Sequence, residues 1–264
     1  MADRRKRRSY RSRKYKKNRQ KTGRIISLIL SFAAVIIILL ISNGVIRFNS
    51  GTYVGSSHTE NAEPLSFSSV DDVSAVNYNG ASYAYINNNT PVFTDKEKSK
   101  GSFETYGNLD SLGRCTYAFA NVYTDLLPKG ERESIASVKP TGWHQNKYDF
   151  VDQGSLYNRC HLIAYSLTGE NANEKNLVTG TRYMNTDGMG SFEKEVLDAV
   201  REKKLHVLYR VTPVFKGNNL LCDGVHMEAY SVEDKGKTVS FNVFVYNVQP
   251  GVAIDYASGN NKAA

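Results

Sequence analysis

The sequence has few cysteines and lacks the short cysteine and histidine motifs that mark common metal sites. Its 264 residues include three Cys, too few for a disulfide framework. Neither HExxH nor CxxC occurs, so a zinc-protease or zinc-ribbon site has no support. The Gly-Lys-Thr at 236–238 lacks the earlier glycine of a phosphate-binding loop and predicts a turn. With 41% apolar residues, 17 Tyr and 11 Phe, the chain can still bury a core, which excludes global disorder and collagen-like structure.

Charge is distributed very unevenly along the chain. The formal net charge is +8, which alone would suggest an anionic partner such as nucleic acid. Residues 1–24 contain 13 Lys and Arg and the single acid Asp3, a net +12. The other 240 residues contain 21 basic and 25 acidic side chains, a net −4. The excess positive charge therefore belongs to an N-terminal tail and does not indicate what the rest of the chain binds.

An uncharged segment follows this tail directly. Residues 25–46 contain no charged side chain over 22 positions. As a helix they would extend about 33 Å, enough to cross a hydrocarbon core of roughly 30 Å. The segment predicts a transmembrane helix, and the positive-inside rule places residues 1–24 in the cytoplasm and the rest of the chain outside the cell.

A cleavable signal peptide is the alternative interpretation of this segment. The apolar part of a signal peptide is usually shorter and ends at a small-residue cleavage site, which is missing from SNGVIRF. We therefore expect an uncleaved membrane anchor. The basic tail is expected to set its topology and to contact anionic lipid, with nucleic-acid binding by the tail as the less favoured alternative.

Beyond the membrane segment the sequence predicts a linker and one α+β domain. Residues 47–75 are rich in Ser, Asn, Gly and acidic side chains and show no sustained period, which is typical of a linker. Residues 76–259 are expected to form the domain, around a mixed or antiparallel sheet. Residues 260–264 are expected to be a frayed C-terminus.

The predicted elements of this domain come from hydrophobic periodicity. Residues 192–204 predict an amphipathic helix with an apolar face formed by Phe192, Val196, Leu197 and Val200. The only Trp, Trp143, is expected to anchor the core. Strands are predicted from β-branched and aromatic runs at 76–86, 90–93, 112–124, 205–215, 226–232 and 239–248.

The densest group of chemically useful side chains lies between residues 158 and 193. It contains Asn158, Arg159, His161, Asn176, Arg182, Asn185 and Glu193. Neutral His can accept a proton at physiological pH, Asn offers Mg²⁺ an oxygen ligand while leaving it several waters, and Arg binds phosphate oxygens. These residue types suit phosphodiester hydrolysis. On residue types alone, ordinary polar surface is the alternative, and Arg182 in particular is expected at the surface.

Cys160 also raises the possibility of a thiol nucleophile beside His161. Neighbouring residues of a strand point to opposite faces, so these two side chains cannot easily pair with each other. A buried structural Cys is the expected case.

The order of these residues resembles a known family. Asn158-Arg159-Cys160-His161, then Asn176 with Leu177, then Asn185 and Glu193 resemble the signature of the DNA/RNA non-specific endonucleases of the ββα-metal superfamily, which reads Asp-Arg-Gly-His, Asn-Leu/Ile, Asn and Glu. The segment looks especially like the membrane-anchored, DNA-entry-type nucleases of Gram-positive bacteria. The resemblance extends over most of the outer domain, from 112–114 through 139–143 to 241–256.

The resemblance implies a ββα-metal nuclease core and a role for each matching residue. His161 would be the general base that deprotonates the attacking water. Asn185 would bind Mg²⁺ directly, with Mn²⁺ as the expected substitute, and Glu193 would hold the metal through water. Asn176 would position the His and the metal-bound waters. The substrate would be DNA, with RNA as a second candidate, and no small-molecule cofactor is implied.

The resemblance also implies arginines that bind phosphate, and two positions of this sequence depart from the family signature. Arg159 would bind phosphate, with Arg114 as a further candidate. Asn158 replaces an acid, which removes a negative charge beside the base, and Cys160 replaces Gly, which questions any need for a positive φ there and introduces an oxidisable thiol. The alternative function is therefore a surface nucleic-acid-binding or scaffold domain that keeps the fold with weakened catalysis.

Overall fold

A computed structural model describes residues 62–264 of the protein. The predicted basic tail (1–24), the predicted transmembrane helix (25–46) and the first part of the predicted linker lie outside these residues. Between residues 62 and 264, no helix is both long and apolar enough to cross a membrane.

The described chain is a mixed α+β structure built on one large sheet. In chain order its strands are β1 (Ser66–Phe67), β2 (Tyr83–Ile86), β3 (Phe103–Tyr106), β4 (Ala118–Val122), β5 (Tyr157–His161), β6 (Leu177–Thr181), β7 (Val207–Val214), β8 (Gly224–Ser231), β9 (Ser240–Tyr246), β10 (Val252–Ile254) and β11 (Asn261–Ala263). The α-helices of this region are α1 (Asp95–Lys98), α2 (Tyr165–Thr168) and α3 (Gly190–Lys203). Seven strands form the large sheet in the order β1-β2-β9-β8-β7-β4-β3. The β1–β2 pair is parallel and the other neighbours are antiparallel.

The long central strands arise where apolar residues alternate. The predicted strands 205–215, 226–232 and 239–248 are confirmed as β7, β8 and β9. In β7, Tyr209 packs into the main core on one face of the sheet, while Leu208 packs into a separate cluster with Phe93 and Phe119. This period of two is what a pleated strand requires when both of its faces are covered.

A second layer packs on one face of the sheet and consists of a strand pair and a helix. Strands β5 and β6 pair antiparallel, with His161 opposite Leu177, and form a ribbon separate from the large sheet. The chain then turns through a π-helical segment, Met184–Met189, into α3. Apolar side chains of the ribbon and of α3 share the main core with β4, β7, β8 and β9. This strand–strand–helix unit agrees with the ββα core implied by the resemblance.

Helix α3 confirms the amphipathic helix predicted at 192–204. Val196 and Val200 are buried in the main core, and the predicted Phe192 and Leu197 pack against it while partly exposed. The helix ends at Lys203 and is capped by Lys204, which takes a left-handed conformation with φ of 55°. It begins at Gly190, earlier than its apolar period alone indicates, because the preceding π turn feeds directly into it.

The structure corrects three boundaries drawn from the sequence. Within the predicted linker 47–75, Ser66–Phe67 pairs with β2 and Val73 is buried. The frayed end predicted at 260–264 is instead strand β11, paired with β10. The predicted strand 90–93 is irregular, since the backbone N–H of Val92 donates to the Glu228 carboxylate instead of to a neighbouring strand.

Candidate active site

The ribbon, the π turn and the start of α3 enclose a cleft of about 630 Å³. The polar side chains that line it include Asn158, Arg159, His161, Arg182, Asn185 and Glu193. Six of the seven residues that the sequence grouped between 158 and 193 are thus brought together around one space, including Arg182, which was expected at the surface. Asn176 and Arg114 are not part of this lining.

His161 ends strand β5 and is held in one orientation. Its side chain is largely buried, and Nε2 lies 2.8 Å from the backbone carbonyl oxygen of Asn171. A carbonyl oxygen can only accept a hydrogen bond, so Nε2 carries the proton and Nδ1 of the neutral ring carries the lone pair. Nδ1 is also 3.4 Å from Nη2 of Arg132. The geometry therefore selects Nδ1 as the basic atom.

The surroundings of His161 keep its imidazole neutral. Burial lowers the pKa of His161 below its usual value, and the positive charge of Arg132 lowers it further. The hydrogen bond to Asn171 acts in the opposite direction because it favours the imidazolium. A neutral imidazole with an unprotonated Nδ1 can accept a proton at physiological pH.

Asn185 and Glu193 reach the same cleft from two successive turns of helix. They are eight residues apart, which in a regular α-helix at about 100° per residue would rotate them roughly 80° away from each other. Asn185 lies inside the π-helical segment Met184–Met189, where each residue turns through a smaller angle, so both side chains line the cleft. Such π turns are rare and occur often at functional sites.

The chemistry of this pair fits a hard divalent cation. Burial raises the pKa of Glu193 to about 7, with Arg132 opposing, and a bound cation would favour its ionised form. Neither Asn185 nor Glu193 has an ion-pair or side-chain hydrogen-bond partner among residues 62–264, so their oxygens remain available. No cluster of three His, Cys, Asp or Glu exists in the same region. An amide oxygen and a carboxylate that leave most positions to water match the preference of Mg²⁺.

Two arginines supply positive charge to the cleft wall. The guanidinium of Arg159 donates to the backbone carbonyls of Ala136 and Val138 and stacks over Trp143, with 4.2 Å between its central carbon and the ring centroid. Trp143, expected to anchor the core, packs against the buried cluster that includes Leu156 and Tyr157, and its partly exposed ring also lines the cleft under Arg159. Arg182 lies at the rim and pairs with Asp152 at 2.7 Å.

Asn176 acts on the backbone next to His161 and not on the cleft. Its side chain is fully buried, with Oδ1 accepting from the Ile163 N–H at 2.9 Å and Nδ2 donating to the Ile163 carbonyl at 3.0 Å. Both ends of the amide are thus used within the protein. Asn176 thus holds the backbone two residues after His161 and does not line the cleft.

The structure places Arg114, a phosphate-binding candidate from the sequence, outside the cleft lining. Its Nε pairs with Asp110 at 2.7 Å, and Nη1 donates to the carbonyls of Gly217 and Asn219. Its guanidinium also stacks on Phe215. These contacts fasten the loop before β4 to the loop after β7, outside the cleft.

The comparisons with known proteins agree with this geometry. Residues 94–233 match the family model described as DNA/RNA non-specific endonuclease, which is more than half of the chain. The protein belongs to the DNA/RNA non-specific endonuclease family. The resemblance stated from the sequence is confirmed, and membership makes the chain a hydrolase of the nuclease class.

Solved nuclease structures share the fold of this endonuclease. NucA from Streptococcus agalactiae with a magnesium ion bound is 28% identical, with a TM-score of 0.60 over 67% of this chain and 85% of that chain. The Sda1 nuclease with a bound zinc ion is 26% identical, with a TM-score of 0.59 over 69% of this chain and 97% of that chain.

The endonuclease accommodates Cys160 in place of the signature Gly by packing. Cys160 is fully buried, and burial raises its pKa well above the usual value, so it is neither a nucleophile nor readily oxidised. Its φ is not positive, hence no Gly is needed there. Space comes from Gly180 on the paired strand β6, because a Cβ at that position would lie 2.4 Å from the Cys160 Sγ.

Arg132 is a cleft residue of the endonuclease that sequence reasoning missed. It lies in the irregular segment between β4 and β5, contacts Nδ1 of His161, and stands over the ring of Tyr165. It is flanked by Glu131 and Glu133, so in sequence it resembles part of a solvated charge run. No local pattern connects it to a histidine 29 residues later.

Proposed function

We propose that the protein is a membrane-anchored, extracellular, Mg²⁺-dependent endonuclease that hydrolyses DNA, and also RNA, with little sequence preference. The observation that carries the proposal is the pairing of a base and a cation site across one cleft. His161 presents an unprotonated Nδ1 whose one hydrogen-bond contact within residues 62–264 is Nη2 of Arg132, and the side chains of Asn185 and Glu193 line the same space.

His161 would deprotonate the attacking water through Nδ1. Its lowered pKa keeps the ring neutral before the reaction. Once the proton is taken up, the Nε2–H bond to the Asn171 carbonyl stabilises the imidazolium. Asn176 maintains this geometry, since it fixes the backbone two residues after the base.

Asn185 would hold the metal directly, and Glu193 would hold it through water. When bound, Mg²⁺ supplies positive charge that polarises the phosphate and stabilises the leaving oxygen. Mn²⁺ takes similar oxygen ligands and is the expected substitute.

The protein would recognise nucleic acid through its phosphate groups, which explains the lack of sequence preference. The cleft lining contains Arg132, Arg159 and Arg182 against the single acid Glu193. It is therefore locally positive, although residues 25–264 carry a net −4. Attraction of nucleic acid is expected to act at short range and to weaken steeply with salt.

The membrane anchor and the extracellular location rest on the sequence. The uncharged residues 25–46 and the 13 cations before them support a single span with the nuclease outside. Protease treatment of intact cells tests this topology: residues 62–264 should be digested while the cells remain closed. A nuclease domain that becomes accessible only after lysis contradicts the orientation.

Plasmid degradation by the purified protein, with Mg²⁺ and with EDTA, tests the activity. Cleavage is expected only with Mg²⁺, and His161→Ala should lower the rate by about 10²–10⁴-fold without unfolding the protein. His206→Gln is the matched control, because His206 pairs with Glu233 beyond the end of α3 and outside the cleft. Folded wild-type protein that binds DNA without metal-dependent cleavage would support the binding-domain alternative.

A further inference from the structure

Asn158 lines the cleft, and its side-chain amide carries a buried hydrogen-bond donor that nothing in residues 62–264 satisfies. Its Nδ2 is buried and has no partner. The other buried side-chain atoms without partners belong to residues that do not line the cleft. Buried polar groups are nearly always hydrogen-bonded, so an unpaired donor in an active-site wall indicates a ligand that completes it.

The chemistry of the atom and of the cleft defines that ligand. An amide N–H₂ donates and cannot bind a cation, so the missing partner is an acceptor. Three arginines and one carboxyl group surround the same space, which favours an anion. The acceptor that an endonuclease brings to such a place is a phosphate oxygen.

We propose that Asn158 Nδ2 donates a hydrogen bond to a non-bridging oxygen of the substrate phosphate. The inference rests on the proposed nuclease function and names a further substrate-binding residue for it. The signature of the family has a carboxylate at this position, which can accept but not donate. Asn158 in place of that carboxylate thus strengthens phosphate binding and removes a negative charge that could attract a cation.

The packing around Asn158 makes the position testable. Its backbone pairs with Gly180 across the ribbon, and its side chain forms no hydrogen bond within residues 62–264, so substitutions there should not unfold the protein. Asn158→Ala removes the donor, and Asn158→Asp keeps the shape while replacing the donor by a charge.

The experiment measures binding without turnover. Affinity for thymidine 3′,5′-bisphosphate is measured by calorimetry in EDTA, and Mg²⁺ affinity is measured separately without nucleotide. Asn158→Ala should weaken bisphosphate binding about fivefold, the loss of one hydrogen bond, and should leave Mg²⁺ affinity unchanged. Asn158→Asp should weaken bisphosphate binding more than tenfold and strengthen Mg²⁺ binding, because it adds repulsion to the lost donor. Asn260→Ala, an exposed Asn outside the cleft, should change neither.

Two results would overturn the inference. Unchanged bisphosphate affinity in Asn158→Ala would show that the donor does not meet phosphate. Loss of Mg²⁺ affinity in the same variant would show that the amide oxygen serves the cation instead. Neither readout needs catalysis, so a wild-type protein that fails to cleave DNA would refute the nuclease proposal while leaving the phosphate result to be judged separately.

Discussion

Replacement of two asparagines of one motif by alanine is expected to affect different properties of the protein. Asn176 is fully buried and bonded at both ends to the backbone of Ile163. Asn185 is partly exposed in the cleft and has no side-chain hydrogen bond within residues 62–264. Both variants should lose activity, but for different physical reasons.

The expected loss of stability in Asn176→Ala follows from the backbone groups that the substitution leaves unpaired. The Ile163 N–H and C=O would both stay buried without a partner, at about 1–3 kcal/mol each. The free energy of unfolding should therefore fall by about 2–6 kcal/mol, a large part of the roughly 5–15 kcal/mol typical of a domain. The midpoint of thermal unfolding should fall by about 10 °C.

Asn185→Ala should leave stability within about 1 kcal/mol of wild type, since alanine favours a helix and no protein contact is lost. Its defect should instead be a loss of Mg²⁺ affinity. Urea unfolding and calorimetric Mg²⁺ titration on both variants separate the two roles. Normal stability with weakened Mg²⁺ binding in Asn176→Ala would refute the reasoning, because it would place Asn176 in the metal shell.

Three further substitutions test separate parts of the structure. Arg132→Gln removes a charge that lowers the pKa of His161, so that pKa should rise and the acid limb of kcat/KM should move to higher pH; an unshifted pH profile contradicts the contact. Arg114→Ala should lower the urea midpoint while leaving kcat/KM unchanged, since its partners lie outside the cleft; a selective rise in KM would restore it as a phosphate ligand. Gly180→Ala should destabilise by about 1–3 kcal/mol through overpacking against Met184 Cε and the Cys160 Sγ. Adding Cys160→Gly should recover the Cys160 part of that loss, and full additivity in the double-mutant cycle would contradict that clash.

The parts of the fold that the sequence predicts are those with a sustained period. Strands β7 to β9 and helix α3 run over seven or more residues, long enough for alternation or a helical face to stand out. Strands β1 and β11 have two and three residues, too few for any period. Their positions depend on partners elsewhere in the chain, so polar composition suggested a linker and a frayed end.

The residues of the site divide in the same way, into those that a local sequence pattern predicts and those that depend on distant segments. His161, Asn185 and Glu193 follow from an ordered motif, because ribbon and helix are consecutive in the chain. Arg114 and Arg132 depend on contacts between distant segments: Arg114 is fixed by carbonyls more than a hundred residues away. Sequence spacing carries no information about such contacts, which is why Arg114 was expected in the site although it lies outside the cleft, and why Arg132 was missed.

The three buried thiols can serve as probes of local opening of the structure. All three cysteines of the chain are free and buried, and burial raises the pKa of each. A thiol reagent can reach them only when the surrounding structure opens, and an opening free energy of about 5 kcal/mol would slow labelling roughly 5,000-fold. Cys160 is adjacent to His161 on β5, so its labelling rate reports how often the strand that carries the base leaves the core. Slower labelling with Mg²⁺ and nucleotide bound would measure, at a single sulfur atom, how strongly substrate binding stabilises the active-site ribbon.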